Sequence, residues 1–194
     1  MKVLIAGGSG FIGQNLSLFF SKKKNYLTVS TYFKNHPRLK SKNLKYDKID
    51  FRSKKNSIKF IKNFDLVVIC VGYVFNQSLV KKKNIKKKIS DHIKINQNIL
   101  DACKINKISK VIYISSALGY PFSKFKLSEN DFFKGKVPRR YFEVGNMYRN
   151  LEKYVKKENS NFVILRPGEI YGEFDNFNFN SANSISKYLC YLVL

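Results

Sequence analysis

Short apolar runs alternate along the chain with longer segments in which apolar residues recur at helical spacing. The apolar runs predict six strands, at Lys2–Ala6, Tyr26–Thr31, Leu44–Ile49, Asp65–Val71, Lys110–Ser115 and Phe162–Leu165. The helical spacing predicts four helices, at Phe11–Ser21, Ser53–Lys62, Ile85–Asn106 and Val144–Glu158. The fourth predicted strand is apolar almost throughout, which is typical of a parallel strand covered on both faces. Strands that alternate with helices predict an α/β fold with a doubly wound parallel sheet.

A glycine-rich turn joins the first predicted strand to the first predicted helix. Gly7, Gly10 and Gly13 have the spacing of a Rossmann-type dinucleotide-binding turn, and they stand between a strand and a helix, as that turn requires. Gly7 would permit a tight bend, Gly10 would let a pyrophosphate approach the backbone, and Gly13 would let the helix pack against the strand. Free N–H groups at the helix N-terminus would bind the phosphates. The pattern predicts a site for NAD or NADP, and a glycine turn without a ligand is the alternative.

The end of the second predicted strand bears on which of the two cofactors is bound. The acidic residue that usually binds the adenosine ribose is missing from the stretch Ser30–Lys34. Lys34, with Arg38 beyond it, is placed to neutralise a 2′-phosphate, which favours NADP over NAD. The alternative is that both are ordinary surface cations.

Positive charge is the strongest compositional feature. The 194 residues carry a formal net charge of +24, and most of it comes from lysines spread along the whole chain. We interpret clusters such as Lys81–Lys83 and Lys86–Lys88 as solvated surfaces of a chain with a biased composition. Attraction to polyanions is the alternative, but no RNA-reading motif accompanies the lysines, so a nucleic-acid partner is not predicted.

The remaining composition narrows the function classes. Three cysteines and two histidines are scattered along the chain, so neither a disulfide framework nor a metal site is predicted. No apolar run reaches the roughly 18 residues that a membrane span needs, and the first residues do not form a signal peptide. We therefore expect a cytoplasmic protein without a membrane partner.

These motifs resemble the extended short-chain dehydrogenase/reductase family, the NAD(P)-dependent nucleotide-sugar epimerases and dehydratases. The resemblance extends from Met1 to about Asn183. It implies that the cofactor is bound by the three glycines and Lys34 together with Phe11, Ile12, Asp50, Phe51, Val71, Gly72, Asn96 and Pro167. The segments Ser115–Pro121, Tyr171-Gly172 and Asp175–Phe177, with Glu129 and Gly135, are similar to the GDP-L-fucose synthase-like branch.

The chain departs from the family where the chemistry takes place. The family uses a Tyr and a Lys one helical turn apart, of which the Tyr moves a proton and the Lys lowers the pKa of that Tyr. Spacing from Gly135 and Glu152 puts Val144 at the Tyr position and Tyr148 at the Lys position. The resemblance leaves Ser116 as a hydrogen-bond donor to the reacting oxygen and Tyr148 as a weak acid acting alone.

Two other tyrosines could in principle be the Tyr of the pair, but neither is predicted to have a lysine one helical turn away. A shift to Tyr141 would put Gly145 at the Lys position. The motif Tyr120–Lys124 has the right spacing, but Pro121 predicts a loop there rather than a helix. The substrate-assisting His of the Asp-Asn-Phe branch is replaced by Asn183.

The expected function follows from the binding residues that are present and the catalytic pair that is absent. We expect an NAD(P)-binding domain at 1–172 and the truncated start of a substrate region at 173–194, most of that region being missing. The expected activity is that of an epimerase, dehydratase or reductase on a nucleotide-sugar, with impaired catalysis. A non-catalytic cofactor-binding subunit or sensor and a truncated remnant are the alternatives. Family members commonly dimerise through the two long helices, so a homodimer is expected.

Overall fold

Six parallel strands form the centre of the molecule. The computed structural model describes residues 1–37, 39–73, 75, 82–159, 161–168, 170 and 172–174. The strands are β1 (Lys2–Ala6), β2 (Leu27–Tyr32), β3 (Leu44–Lys48), β4 (Leu66–Ile69), β5 (Lys110–Ile114) and β6 (Phe162–Leu165). The helices are α1 (Phe11–Ser21), α2 (Lys54–Phe60), α3 (Lys82–Ile105) and α4 (Phe142–Glu158). The residues predicted to match the Asp-Asn-Phe branch, most of the segment 173–194, Arg38 and Tyr171 lie outside the described residues.

The strand order is β3-β2-β1-β4-β5-β6. The chain moves outwards from β1 through β2 to β3, then crosses back to β4 and continues to the other edge. Ile5 of β1 therefore pairs with Ser30 on one side and Val68 on the other. This is the order of a doubly wound Rossmann-type sheet, and the predicted fold class is confirmed. The carboxyl ends of β1, β2 and β4 surround the reversal point, where such folds bind ligands.

Alternate residues of the central strands enter two separate cores. Val3, Ile5 and Val68 contact Leu16 and Phe20 of α1 on one face of the sheet. The other face carries a larger core formed with α2, α3 and α4, which includes Leu4, Ala6, Val67, Ile69, Ile99, Leu100, Leu151 and Val155. Because successive side chains of a strand point to opposite faces, an unbroken apolar run can supply both layers.

Several element boundaries differ from the predicted ones by one to three residues, and three of these differences have a local explanation. β4 ends at Ile69 rather than Val71, because its neighbour β1 ends at Ala6 and offers no further ladder partner. α3 begins at Lys82 rather than Ile85, and its lysine-rich first turn has no apolar periodicity that would have indicated a helix. α4 begins at Phe142 rather than Val144, directly after a 3₁₀ turn at Arg139–Tyr141.

A buried ion pair joins β5, α4 and β6. The Glu152 carboxylate is fully buried and accepts hydrogen bonds from the Arg166 guanidinium at 2.8–3.2 Å. It also accepts a hydrogen bond from the Ser115 hydroxyl at 2.6 Å. The guanidinium lies 4.0 Å from the centre of the Phe132 ring. These contacts satisfy the buried carboxylate, since an unpaired charge in that place would be strongly destabilising.

A second arginine attaches the segment 117–135 to α4. The Arg149 guanidinium donates to the backbone oxygens of Gly119, Lys134 and Gly135 at 2.7, 3.0 and 2.9 Å. Gly145 lies against the same segment, because a Cβ there would stand 2.5 Å from the Leu118 oxygen. The helix and the segment therefore form one packed unit.

Replacing Arg166 by Met is expected to lower the free energy of unfolding by about 3 kcal/mol or more, because it leaves Glu152 buried without its cation. Lys104→Met is the matched control. It removes the cation of the Lys104–Glu158 pair, whose lysine side chain is 59% exposed, and exposed pairs contribute little. Urea unfolding measures both variants. Equal losses of stability in the two would contradict this interpretation of the buried pair.

Candidate functional site

The glycine turn leaves no room for side chains at two of its three glycines. A Cβ on Gly13 would lie 2.1 Å from the Gly7 oxygen, and a Cβ on Gly7, whose φ is +92°, would lie 2.7 Å from the Val71 Cα. Gly10 differs, because an added Cβ would meet only the Gly7 oxygen, at 3.4 Å. Gly10 is the N-cap of α1 and is exposed. The backbone at Gly10 is thus open to a ligand, while Gly7 and Gly13 hold the turn in shape.

A hydroxyl from β2 fixes the turn from the other side. The Gly7 N–H donates to Thr31 Oγ1 at 3.0 Å, and the Gly10 N–H donates to the Gly7 oxygen at 3.1 Å. The first N–H groups of α1 have no acceptor within the helix and carry the partial positive charge of its N-terminus. The arrangement provides backbone donors to an anion.

A cavity of about 280 Å³ lies beside the turn, at the carboxyl ends of β1 to β4. The lining residues come from four loops and one helix: Gly7, Ser9, Gly10, Thr31–Asn35, Ile49–Arg52, Cys70–Tyr73 and Ile95. The cavity thus extends from the glycine turn towards the loop that follows β3.

Most of the residues predicted to bind the cofactor meet at this cavity. Gly7, Gly10, Lys34, Asp50, Phe51, Val71 and Gly72 line it. Phe11, Ile12 and Gly13 form the first turn of α1 beside it. Asn96 is buried on α3 and donates to the His92 oxygen at 2.8 Å, while its Oδ1 has no partner among the described residues. Pro167 lies beyond β6, where its oxygen accepts from the Ala117 N–H at 2.9 Å, and it does not line the cavity.

Sequence reasoning missed Arg52. The guanidinium of Arg52 donates to both carboxylate oxygens of Asp50, at 2.6–3.1 Å, and lies 5.0 Å from the centre of the Phe33 ring. These hydrogen bonds hold the pKa of Asp50 below its usual range. An arginine two positions after the expected adenine-contacting Asp was the available signal.

The two predicted catalytic residues do not touch each other. Ser116 Oγ accepts from the Leu118 N–H at 3.2 Å and caps a 3₁₀ turn. Tyr148 packs edge-to-face on His92 with ring centres 5.6 Å apart, and burial raises the pKa of its phenol to about 12. Val144 is buried one turn earlier on the same helix. In the described part of the chain no hydrogen bond joins Ser116 to Tyr148.

The alternative placements of the Tyr-Lys pair do not form a catalytic pair in the structure. Tyr120 and Lys124 lie in a stretch without helix, as Pro121 predicted, and the Tyr120 hydroxyl accepts from Arg166 at 3.1 Å. Gly145 packs too closely on Leu118 to be replaced by a larger residue.

His92 is a buried neutral group at the edge of the site. Its ring stands so close to Gly72 that a Cβ there would meet Cε1 at 2.5 Å, and Nδ1 accepts from the Tyr73 N–H at 3.3 Å. Desolvation lowers the pKa of His92 to about 4. His92 thus connects the end of β4 to Tyr148 without carrying charge at neutral pH.

Comparison with known proteins assigns the chain to a family. The family model described as "NAD dependent epimerase/dehydratase family" matches residues 3–192. The chain belongs to this family. The predicted resemblance to the extended short-chain dehydrogenases is thereby confirmed, whereas the GDP-L-fucose synthase-like branch stays a prediction.

Individual relatives are more distant. GDP-L-colitose synthase of Yersinia pseudotuberculosis is 24% identical in an alignment 193 positions long, which covers 95% of this chain and 58% of that protein. A GDP-D-glycero-L-gluco-heptose synthase from Campylobacter jejuni, solved in the presence of NADPH, has a TM-score of 0.78 and 21% identity, covering 97% of this chain and 53% of that one.

A third relative holds NAD and a nucleotide-sugar in its crystal structure. It is the UDP-glucuronic acid 4-epimerase from Bacillus cereus in complex with UDP-glucuronic acid and NAD, with a TM-score of 0.73 and 24% identity over 89% of this chain and 58% of that one. This chain therefore spans little more than half the length of the relatives that it matches.

Of the helices that the structure describes, none has the length and apolar composition to cross a bilayer. Within the same described residues, no three His, Cys, Asp or Glu side chains form a group able to hold a metal ion.

Stability should depend on His92 as the pH falls. The unfolded state binds a proton near pH 6.5 but the folded state only near pH 4, so the free energy of unfolding should fall by about 3 kcal/mol across that interval. His92→Asn, which keeps an acceptor near Nδ1, should remove most of this slope, whereas His36→Asn at an exposed position should keep it. Urea unfolding at several pH values measures the slopes, and identical slopes in wild type and His92→Asn would exclude the assignment.

Proposed function

We propose that the chain binds NAD or NADP at the glycine turn and that the proton transfer of its family is impaired. The observation that carries the first part is the open backbone at Gly10 between two glycines that cannot accept side chains. Because Gly10 has no side chain, a phosphate can come into direct contact with that backbone. The donor set consists of N–H groups at a helix N-terminus, which suits a pyrophosphate.

The cavity suits the adenosine half of such a cofactor. It begins at the glycine turn and ends between Phe33, Asp50 and Tyr73, where apolar and aromatic surface can receive a purine ring. Ile95 and Val71 form the floor between these two ends. The residues there fit the adenosine diphosphate part of NAD or NADP, and Thr31 supports the turn from beneath.

The second part of the proposal concerns the residues next to the nicotinamide half. The bound nicotinamide would supply hydride exchange, and the protein would have to move a proton at the substrate oxygen. Val144 has no proton to move. Tyr148, with a pKa of about 12 caused by burial, stays protonated at neutral pH and has no lysine one turn away to lower that value.

Ser116 is the proposed hydrogen-bond donor to the reacting oxygen. Its oxygen is already used as an acceptor by the Leu118 N–H, which leaves its proton free to be donated outwards. A donor of this kind can orient a hydroxyl or carbonyl oxygen of a substrate. A donor alone does not replace a general base, so the expected result is binding with little or no turnover.

A nucleotide-sugar is the substrate class that the relatives suggest. The three proteins compared above carry GDP- or UDP-linked sugars in their names. Because this chain spans only part of their length, its substrate and its activity remain proposals. A homodimer through α3 and α4, which pack side by side, is likewise proposed. The segment 173–194 is proposed to be the start of a substrate region.

A second candidate is a cofactor-binding subunit or sensor without catalysis. The feature that favours it is the presence of a buried valine, Val144, and a partly buried tyrosine, Tyr148, at the positions where the spacing puts the Tyr-Lys pair. It predicts the same binding site and differs from the first candidate only in turnover.

Gly10→Ala should fold normally but bind NADPH at least tenfold more weakly, because the added methyl group occupies the path of the pyrophosphate. The backbone at Gly10 is extended, with φ −80° and ψ 171°, so alanine introduces no strain. Gly168→Ala is the control, since an added Cβ there has nothing within 4 Å. Fluorescence titration with NADPH gives the affinities, and thermal unfolding checks the fold.

Turnover decides between the candidates. Purified protein is incubated with NADPH and GDP- or dTDP-4-keto sugars, and the absorbance of NADPH is followed. We expect saturable binding and at most a weak rate, and a complete absence of turnover would favour the non-catalytic candidate. A rate that Tyr148→Phe abolishes would overturn the proposed impairment, and absence of saturable NADP(H) and NAD(H) binding would overturn the binding function itself.

A further inference from the structure

One of the residues that line the cavity, Arg52, is held in a fixed orientation. Asp50 accepts hydrogen bonds from Nε, Nη2 and the backbone N–H of Arg52. The guanidinium lies over the ring of Phe33, which follows directly after β2. The side chain thus bridges the loop after β3 and the loop after β2.

The backbone beneath this arginine is also held in place. Asn98, buried on α3, donates from Nδ2 to the oxygens of Phe51 and Arg52 at 2.8 and 3.1 Å. Ser53 caps the helix that follows. A guanidinium fixed at its backbone and on one of its edges loses little further freedom when a ligand binds its other edge.

Three of the five guanidinium N–H groups of Arg52 have no acceptor among the described residues. Nε–H and one Nη2–H are used by Asp50, and the remaining three are both N–H groups of Nη1 and one of Nη2. The side chain is 40% exposed and lines the cavity. Its free edge is therefore accessible to an anion that enters the cavity.

The charged residues that line the cavity favour an anion. Among the residues that line the cavity the cations are Lys34 and Arg52, and the single carboxylate, Asp50, has both oxygens engaged by Arg52. A ribose 2′-hydroxyl is usually bound by a carboxylate at the end of the second strand. The described residues there, Thr31–Pro37, contain none.

We propose that Arg52, positioned by Asp50 and Phe33, binds a 2′-phosphate on the adenosine ribose, so that the site selects 2′-phosphorylated adenine nucleotides. The proposal rests on the dinucleotide binding proposed above. A ribose whose 5′-pyrophosphate lies at Gly10 places its 2′-oxygen near the end of β2. Phe33 and the guanidinium stacked on it lie at that end. A planar guanidinium matches two phosphate oxygens, and its charge-assisted hydrogen bonds are among the stronger ones in proteins.

Lys34 would contribute less than Arg52. It is an exposed side chain with no hydrogen bond or ion pair among the described residues. A flexible ammonium loses more freedom on binding and acts as a point charge, whereas Arg52 offers an oriented edge. The two substitutions can therefore be distinguished by experiment.

The test uses two ligands that differ only at the 2′-position and lack nicotinamide: ADP-ribose and 2′-phospho-ADP-ribose. Isothermal titration calorimetry on the full chain gives both affinities for wild type, Arg52→Gln, Lys34→Gln and the control Lys55→Gln. Lys55 is an exposed cation on α2 that does not line the cavity, so its removal makes the same charge change elsewhere.

We expect wild type to bind 2′-phospho-ADP-ribose at least tenfold more tightly than ADP-ribose. Arg52→Gln should reduce this ratio to less than threefold while changing the affinity for ADP-ribose by less than threefold. Lys34→Gln should reduce the ratio by about half, and Lys55→Gln should leave it unchanged. The ratio in wild type should fall as NaCl is raised, because the guanidinium is partly exposed.

The outcomes separate the two proposals. If neither ligand binds, the proposed dinucleotide site fails. If ADP-ribose binds and the 2′-phosphate adds nothing, the dinucleotide site stands and the assignment of Arg52 is overturned. A preference that survives Arg52→Gln but disappears in Lys34→Gln also overturns it, in favour of the lysine.

Discussion

The close approach of α1 to β1 is the constraint on which the site depends. The Gly7 oxygen lies where a side chain of Gly13 would stand, and the Val71 backbone lies where a side chain of Gly7 would stand. Three backbone segments thus meet without intervening side chains, at the point where the sheet reverses its direction of winding. Any larger residue would separate helix from strand and turn the first N–H groups of α1 away from the cavity. The binding geometry is in this sense a property of backbone packing, and side chains such as Thr31 and Arg52 are arranged around it.

In the part of the molecule formed by β5, β6 and α4, hydrogen bonds to charged side chains hold the elements together. Glu152 lies without exposed surface between β5, α4 and β6, and it is satisfied by Arg166 and Ser115 together. Arg149 attaches the segment after β5 to the same helix. Both arginines stabilise the scaffold on which the family places its catalytic Tyr and Lys. These contacts are present here, although the spacing along the chain predicts Val144 and Tyr148 at the two catalytic positions.

Much of the fold and part of the site could be predicted from the sequence. The apolar runs of β1 and β4 and the glycine spacing are local signals, and they led to the correct fold class and to most of the residues that meet at the cavity. Helix starts were less predictable, since the first turn of α3 is rich in lysine and only its later turns face the core. The role of Arg52 depends on its contacts with Phe33 and Asp50, and no periodicity indicates which rotamer an arginine takes. The burial of Glu152 could not be predicted from its own helix, because it depends on Arg166, which directly follows β6.

The edge-to-face packing of Tyr148 on His92 also limits which residues could replace Tyr148. A lysine at position 148 would place an ammonium group against a buried, neutral imidazole, which is unfavourable until a phenolate-forming tyrosine stands one turn away. A tyrosine at position 144, alone, would have to enter a site filled by valine and would gain no chemistry. Each single substitution is disfavoured without the other, so a Tyr-Lys pair could be built into this packing only by changing both positions together.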